Sequence, residues 1–453
     1  MAGVFKTYDI RGIYGKGIDT ALAYKVGRAF ARLSKADSFM IGYDARTYSE
    51  QLYQALSRGL VAEGRKVRGI GMVTTPQLHF YQMEEGYSGG VMVTASHNPP
   101  EYHGFKLYDD RGGSVSYDKG LREIEALVAG MGEEPALPGG SFEEVDRIDE
   151  YIDFVTAPLK GEKVTRKVVI DVGGGSAGRV FRGISDRLAL PSYILNEQPD
   201  GSFLNRDPNP LKPESRMHAA ARVLEHGADL GALLDGDGDR VVFLDEHGES
   251  VANYYIAALI AEELLNEHPG AAVVYDLISS RALPQRITEL GGKPVFSKVG
   301  YTFLYDAMIA EGAVFGAETS GHVYFKVTDS YYTESAAFAL VVLLKLLNKR
   351  RKPLSELLAP LRGRFHQSGE INIEIADKEE VLRQLERKYR EEGATIGKLD
   401  GVSVEFPDFW FNLRPSNTEP LIRLRLEAVS REVAEQRTEE VVEFLKRFAY
   451  HRG

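Results

Sequence analysis

Ser96 stands in the segment Val93-Thr94-Ala95-Ser96-His97-Asn98-Pro99-Pro100, between an apolar run and two prolines. Neither proline has a backbone N–H, and both oppose helix continuation. The segment therefore predicts a fixed, irregular loop at the end of a strand, a place where a nucleophilic hydroxyl can be displayed. The competing reading is a turn serine that caps a backbone N–H. A second segment, Leu233-Leu-Asp-Gly-Asp-Gly-Asp-Arg-Val-Val242, alternates Asp235, Asp237 and Asp239 with glycine directly after an apolar strand. The glycines let the backbone curl so that the carboxylates converge. At ~4 Å and an effective dielectric of ~20, each ionised pair repels by ~4 kcal/mol. A hard divalent cation, Mg2+ foremost, removes that cost and leaves coordination sites for a phosphate oxygen. Three other readings compete. A solvated turn would splay the three side chains. An EF-hand would use Glu246 at the twelfth position, but Arg240 stands where glycine is needed and strands flank the loop. An aspartyl-nucleophile phosphatase would also carry Asp-x-Asp after a strand, but it leaves the Ser96 loop unexplained.

Further segments carry groups that suit sugars and phosphates, against the competing readings of a structural histidine at His322 and of a polar turn between strands at Arg414 to Pro420. Ala317-Glu318-Thr319-Ser320-Gly321-His322 concentrates an acceptor, hydroxyls and an imidazole, which suit sugar hydroxyls. Arg414-Pro-Ser416-Asn417-Thr418-Glu-Pro420, with Arg423 beyond, gathers a guanidinium, two hydroxyls, an amide and loop N–H groups, a set that suits a phosphate dianion. Tyr8 to Gly12 and Gly104 to Lys106 place Arg11 and Lys106 at expected loop positions. Gly173-x-Gly175-x-x-Gly178, with Glu197 ending the next strand, imitates a dinucleotide-binding fingerprint and would suit an NAD-dependent dehydrogenase. A tightly packed strand-to-helix turn explains the same glycines, and nothing else in the chain suggests hydride chemistry.

These segments need a large scaffold. The 453 residues are enough for about three domains. The composition is 43% hydrophobic and 27% charged, an ordinary globular balance. A net charge of −11 argues against nucleic-acid binding but allows a local cationic pocket for an anionic substrate. The absence of cysteine excludes disulfides, thiol catalysis and cysteine-ligated zinc. The start, Met1 to Gly12, does not read as a secretory signal. The apolar run Ala336 to Leu344 is too short to span a bilayer and predicts a buried helix. The expectation is a cytoplasmic protein with no membrane or nucleic-acid partner, as a monomer or small homo-oligomer.

Strand and helix patterns alternate from Thr20 to Val93, which predicts an α/β layer with a parallel-rich sheet. The rhythm restarts at Lys167 to Asp171 and again at Ala271 to Asp276. Three α/β units of similar plan follow, an internal repeat of architecture rather than of sequence. The tail predicts a smaller α+β domain of order β-α-β-β-α. The expected divisions are 1–150 with the serine loop, 151–250 with the acidic loop, 251–364 with the sugar-binding loop and 365–453 as the phosphate-binding end.

In this order, the Thr94 to Pro99, Asp235 to Arg240, Glu318 to His322 and Arg414 to Pro420 segments resemble the α-D-phosphohexomutase superfamily. They look most like its bacterial and archaeal phosphomannomutase/phosphoglucomutase branch. The resemblance covers nearly the whole chain and implies three mixed α/β domains and a C-terminal α+β domain around a central cleft. It implies an isomerase that interconverts hexose 1-phosphate and hexose 6-phosphate, of mannose, glucose or both. The route is a phosphoserine at Ser96 and a hexose 1,6-bisphosphate, which also primes Ser96. Phosphoglucosamine mutase of the same superfamily is the alternative. By the resemblance, Asp235, Asp237 and Asp239 hold Mg2+ together with a phosphoserine oxygen. Arg11 and Lys106 lie near the transferring oxygen, with His97 and Arg240 supporting the loop. Glu318 and Ser320 bind sugar hydroxyls. Arg414, Ser416, Asn417, Thr418 and Arg423 hold the phosphate that is not reacting, and Lys298 and His322 complete the cleft. Two positions depart from the branch. Tyr301 stands where His is common, which bears on sugar preference, and Glu334-Ser335 replaces a common Asp-Gly pair and reads as structural.

Overall fold

The computed structural model of the chain describes residues 3–329, 331–375, 377–415 and 421–448. Among these residues, four sheets follow one another along the chain. The first has six strands, in the spatial order Ile10–Ile13, Tyr102–Tyr108, Gly89–Val93, Ser38–Tyr43, Lys66–Met72 and Ser141–Glu144. The second orders Ser250–Val251, Val241–Leu244, Leu230–Leu234, Val168–Asp171 and Ser192–Leu195. The third orders Lys293–Ser297, Ala272–Asp276, Phe315–Ala317, Val323–Lys326 and Tyr332–Glu334. In each, a parallel pair sits at the centre. Ser38–Tyr43 runs beside Gly89–Val93, Val168–Asp171 beside Leu230–Leu234, and Ala272–Asp276 beside Phe315–Ala317. The centre of each sheet is thus the crossover α/β core that the alternation predicts.

The edges differ from the expectation. Ile10–Ile13 and Tyr102–Tyr108 add antiparallel strands to the first sheet. Arg11 and Lys106, expected on loops, therefore lie within strands. Lys106 pairs across from Met92, and its side chain is buried. Ser141–Glu144 is exposed at all four residues, so no apolar alternation marked it as a strand. The tail also differs. Its sheet orders His366–Glu374, Leu421–Ala428, Phe409–Pro415, Val402–Glu405 and Thr395–Gly397, all antiparallel. Two short strands thus stand where the sequence pattern gave a connecting segment.

Packing joins the first three units more tightly than the fourth. The helix Ala336–Arg350 starts on a Ser335 cap, whose hydroxyl accepts from the Phe338 N–H at 3.0 Å. It buries Leu340, Leu343, Leu344 and Leu347 in a core cluster that includes Met40 of the first sheet, Ile170 of the second and Phe315 of the third. Each such side chain contributes roughly 1.5–3 kcal/mol by leaving water. The C-terminal unit has its own core around Val404, Phe411, Leu424 and Leu445. Among the described residues, no helix is long and apolar enough to cross a membrane.

Candidate active site

The serine and acidic loops meet where the first two sheets end. Ser96 follows the strand Gly89–Val93 and adopts φ +51°, a left-handed conformation rare for a residue with a side chain. Its hydroxyl donates to Asp235 Oδ2 at 2.8 Å and lies 3.2 Å from His97 Nδ1. Asp235 Oδ1 meanwhile accepts the N–H groups of Asp239 and Arg240, each at 3.1 Å, which closes the acidic turn. Gly236 is needed for the approach, since a Cβ there would lie 2.7 Å from the Ser96 carbonyl oxygen. The Gly173 to Gly178 turn packs behind it, and a Cβ on Gly175 would sit 2.5 Å from the Gly236 carbonyl. Glu197 pairs with Arg182, at 2.9 Å through the guanidinium Nε. These contacts favour the packing explanation of the glycines over a dinucleotide fingerprint. Glu246, the twelfth position of the rejected calcium loop, instead holds the Ser355 N–H at 3.2 Å.

The three aspartates are buried, and one oxygen from each lies within 4.8 Å of the others. Lys106 reaches in from its strand, 2.8 Å from Asp237 Oδ2 and 2.5 Å from Asp239 Oδ2. Thr75 donates its hydroxyl to Asp237 Oδ2 at 2.7 Å. Asp237 Oδ1 is buried without a hydrogen-bond partner. Burial drives the Asp235 carboxyl well above its ordinary range, and Asp239 and Asp237 add to the shift. Burial would do the same to Asp239, but Lys106 and His322 hold it well below that range. Burial would likewise discharge Lys106, but Asp237 and Asp239 overcome it and keep the ammonium charged. An all-oxygen set with an orphaned carboxylate oxygen and mutually strained charges fits a hard divalent cation.

The Glu318 to His322 loop closes over this floor. His322 bridges Asp239 Oδ1 and Glu318 Oε2, at 3.0 Å from each. Burial opposes its charge, but Asp239 prevails and lifts its pKa to about 10. Glu318 also accepts the Gly300 N–H at 3.0 Å and the Ser320 hydroxyl at 3.2 Å. The Arg240 Nε lies 4.0 Å from Asp235 and 3.9 Å from Asp239. His97 is kept neutral by burial, with Arg240 and Arg11 reinforcing the effect. Arg11 donates to Asn98 Oδ1 at 2.6 Å and to Asp9 Oδ2 at 2.5 Å. Next to the floor, Lys298, Arg414 and Arg423 line a cavity of about 440 Å³ with Tyr8 and Gly300. Arg414 leans on Glu370 at 3.0 Å. Ser416, Asn417 and Thr418 lie outside the described residues.

Other neighbours reach the site from outside these loops. Arg46 is fully enclosed beneath the serine loop, and only a contact map could single it out among surface-like arginines. Glu334, expected to be structural, sends a carboxylate oxygen within 4.8 Å of Asp239 and His322. Burial and Asp239 raise its pKa to about 7, against Lys106. Tyr301 donates to the Tyr8 carbonyl at 3.1 Å, and its ring centroid lies 5.9 Å from that of His322. It thereby joins the first unit to the third.

Comparison with known proteins agrees with this geometry. Family profiles match in four successive stretches. Phosphoglucomutase/phosphomannomutase alpha/beta/alpha domain I matches residues 2–134, domain II residues 149–248, domain III residues 252–365 and the C-terminal domain residues 370–444. A phosphomannomutase of Salmonella montevideo is 38% identical over 451 residues, covering 97% of this chain and 98% of the relative. One from Escherichia coli is 36% identical over 452 residues, covering 98% and 99%. A crystal structure of a phosphoglucomutase/phosphomannomutase family protein from Burkholderia thailandensis is 32% identical, with TM-score 0.88 over 98% of this chain and 97% of that one.

Proposed function

Because the chain belongs to the phosphoglucomutase/phosphomannomutase family, we propose that Ser96 is the group that carries the phosphoryl unit between the two ends of its substrate. The protein is a phosphohexomutase, an isomerase that interconverts hexose 1-phosphate and hexose 6-phosphate. The observation that carries the Ser96 assignment is its hydroxyl, held 2.8 Å from Asp235 at the mouth of a buried three-carboxylate cluster.

In the first half-reaction a sugar hydroxyl forms a new O–P bond as the bond between Ser96 Oγ and phosphorus breaks, and a proton is lost from that hydroxyl and gained by Ser96 Oγ, giving the hexose 1,6-bisphosphate. In the second, Ser96 Oγ takes the phosphoryl group as the sugar O–P bond at the other end breaks, and the freed sugar oxygen takes up the proton that Ser96 gives up. Lys106, charged and fixed against Asp237 and Asp239, faces the transferring oxygen as a cation or as a proton donor. Arg11 and Arg240 add positive charge from two sides, and neutral His97 supports the serine. Held by Asp235, Asp237, Asp239 and a phosphoserine oxygen, Mg2+ would neutralise charge on the group in transfer. Glu318 and Ser320 accept and donate to the sugar hydroxyls, with His322 fixing Glu318. Lys298, Arg414 and Arg423 grip the distant phosphate, joined by Ser416, Asn417 and Thr418 of the same sequence segment. Binding energy from that remote phosphate orients the reacting oxygen, and one grip serves both orientations.

The substrates supported by the relatives are mannose and glucose phosphates, with a hexose 1,6-bisphosphate priming Ser96. Work in the cytoplasm as a monomer or small homo-oligomer belongs to the same reading. The test is a peptide map of the purified protein followed by a coupled assay with each hexose 1-phosphate, Mg2+ and a bisphosphate primer. Phosphate on Ser96 and turnover of mannose or glucose 1-phosphate are expected. Phosphate confined to another residue would overturn the assignment.

A further inference from the structure

The three α/β units repeat a detail that lies beneath the reacting groups. In each, the central strand that begins the parallel pair ends at a buried aspartate: Asp44 directly after Ser38–Tyr43, Asp171 at the end of Val168–Asp171, and Asp276 at the end of Ala272–Asp276. In each, the neighbouring parallel strand leads into a loop of the site. Tyr43 is in register with Val93, Asp171 with Leu233 and Tyr275 with Ala317. The aspartates therefore occupy matching places, one beside the serine loop, one beside the acidic loop and one beside the sugar loop.

Their hydrogen bonds reach across to those loops. Asp44 Oδ2 accepts the Thr94 hydroxyl at 2.7 Å, and Thr94 Oγ1 accepts the Ser96 N–H at 2.8 Å. Asp44 also pairs with the Arg46 Nε at 3.1 Å. The Arg46 guanidinium then donates to three carbonyls of the serine loop, Ser96 at 2.7 Å, Asn98 at 2.6 Å and Pro99 at 2.7 Å, and to a fourth at the start of the next strand, Tyr102 at 3.0 Å. Asp171 Oδ1 lies 3.2 Å from the Arg206 Nε, and Arg206 donates to the carbonyl of Leu234, the residue before Asp235. Asp276 accepts the Thr319 N–H at 2.6 Å and its hydroxyl at 2.8 Å, directly after Glu318. We propose that Asp44, Asp171 and Asp276 are equivalent positioning residues, each fixing one loop of the site, with Arg46 and Arg206 as struts in the first two units.

Turn-capping alone does not account for this. An aspartate that only closes its own turn needs donors within a few residues, as Gly173 supplies to Asp171 at 2.9 Å and Ser279 to Asp276 at 2.7 Å. The reach of Asp44 to Thr94 and of Asp276 to Thr319 crosses between strands instead. The enclosed Arg46 guanidinium is compensated by Asp44 and the four carbonyls only while the loop keeps this arrangement, so movement of the loop would leave a buried charge short of partners. The left-handed Ser96 makes the same demand, because such strain persists only where the surroundings over-determine it.

The inference rests on the assignment of the three loops to catalysis, metal and sugar, so the tests separate them. The variants are Asp44→Asn, Asp171→Asn and Asp276→Asn, compared with wild type for kcat, KM, Mg2+ binding by calorimetry and melting temperature. Asp44→Asn is expected to lower kcat about 10–100-fold at unchanged KM, the scale of lost outer-sphere support. Asp171→Asn is expected to weaken Mg2+ binding about tenfold, read without turnover. Asp276→Asn is expected to raise the KM for hexose phosphate about tenfold and to leave kcat within about threefold. Should an asparagine variant fail to fold, Thr94→Val, Arg206→Lys and Thr319→Val weaken the contacts of the same three aspartates and must reproduce the same three signatures. An equal loss in all three that follows only the folded fraction overturns the inference. A wild-type protein that turns over no hexose phosphate overturns the loop assignment instead.

Discussion

The floor of the site and its rim of Lys298, Arg414 and Arg423 are built on opposite plans. Ser96, Lys106 and the three aspartates are buried, and each is tied to at least one neighbour across a loop or strand. The floor stands on units whose apolar core runs continuously from the first sheet to the third. Lys298 is exposed, Arg414 and Arg423 are half-buried, and the C-terminal unit that supplies the two arginines has a separate core. On the proposed assignment, transfer of a phosphoryl group tolerates little displacement of the reacting atoms, whereas the distant phosphate has only to be held while either end of the substrate reacts. On that assignment, burial and cross-loop contacts are concentrated where bonds would change and are fewer where the substrate would only be gripped.

This contrast can be broken experimentally at several points. Ser96→Ala should fold normally and lose at least about 10⁴-fold in turnover, the scale of removing a covalent nucleophile, checked by coupled assay. Lys106→Met should lower kcat about 10²–10³-fold with little change in KM, since on the proposed mechanism it removes charge only where the phosphoryl group would pass. Arg414→Ala should instead act through KM, raising it about 10–100-fold, in line with about 1.5–3 kcal/mol for a charge-assisted hydrogen bond. A loss of kcat alone in Arg414→Ala would erase the distinction between floor and rim.

The smallest expected effect concerns acid stability. Glu63 is buried beside Arg28, 2.5 Å from its Nε, and Arg32 is 2.8 Å away. Burial would raise the Glu63 carboxyl, but Arg32 and Arg28 overcome it and hold it below its ordinary value of about 4.5. A folded-state pKa below the unfolded one means that the stabilisation is complete above pH ~4.5 and is lost as pH falls through the lower folded value. Glu63→Gln should therefore melt lower than wild type at pH 7, by a difference that shrinks in more acidic buffer. Glu440 of the C-terminal unit is also held low. Burial opposes this, but Lys388 and Arg437 prevail. Its carboxylate is about a third exposed, so the matching Glu440→Gln should move the melting temperature less.

Much of the floor was legible in the chain because its chemistry sits in short contiguous segments. Ser96 before two prolines and the Asp235-Gly-Asp237-Gly-Asp239 run signal themselves by local spacing, as does the Glu318 to His322 loop. The central parallel strands were legible for a similar reason, being nearly continuous apolar runs. What escaped depends on distance. Arg46 reaches Ser96 from 50 positions away, and no periodicity distinguishes it from a surface arginine. The antiparallel strands that carry Arg11 and Lys106 are edge additions whose pairing is set by tertiary contact. Glu334 reads as a neutral replacement until the fold brings it against His322 and Asp239.

The backbone angle at position 96 also bears on which alcohol can serve there. Threonine offers the same oxygen, but its extra methyl group is poorly tolerated at positive φ. The geometry of one peptide unit thus selects serine over its closest chemical cousin, independently of how reactive either hydroxyl is.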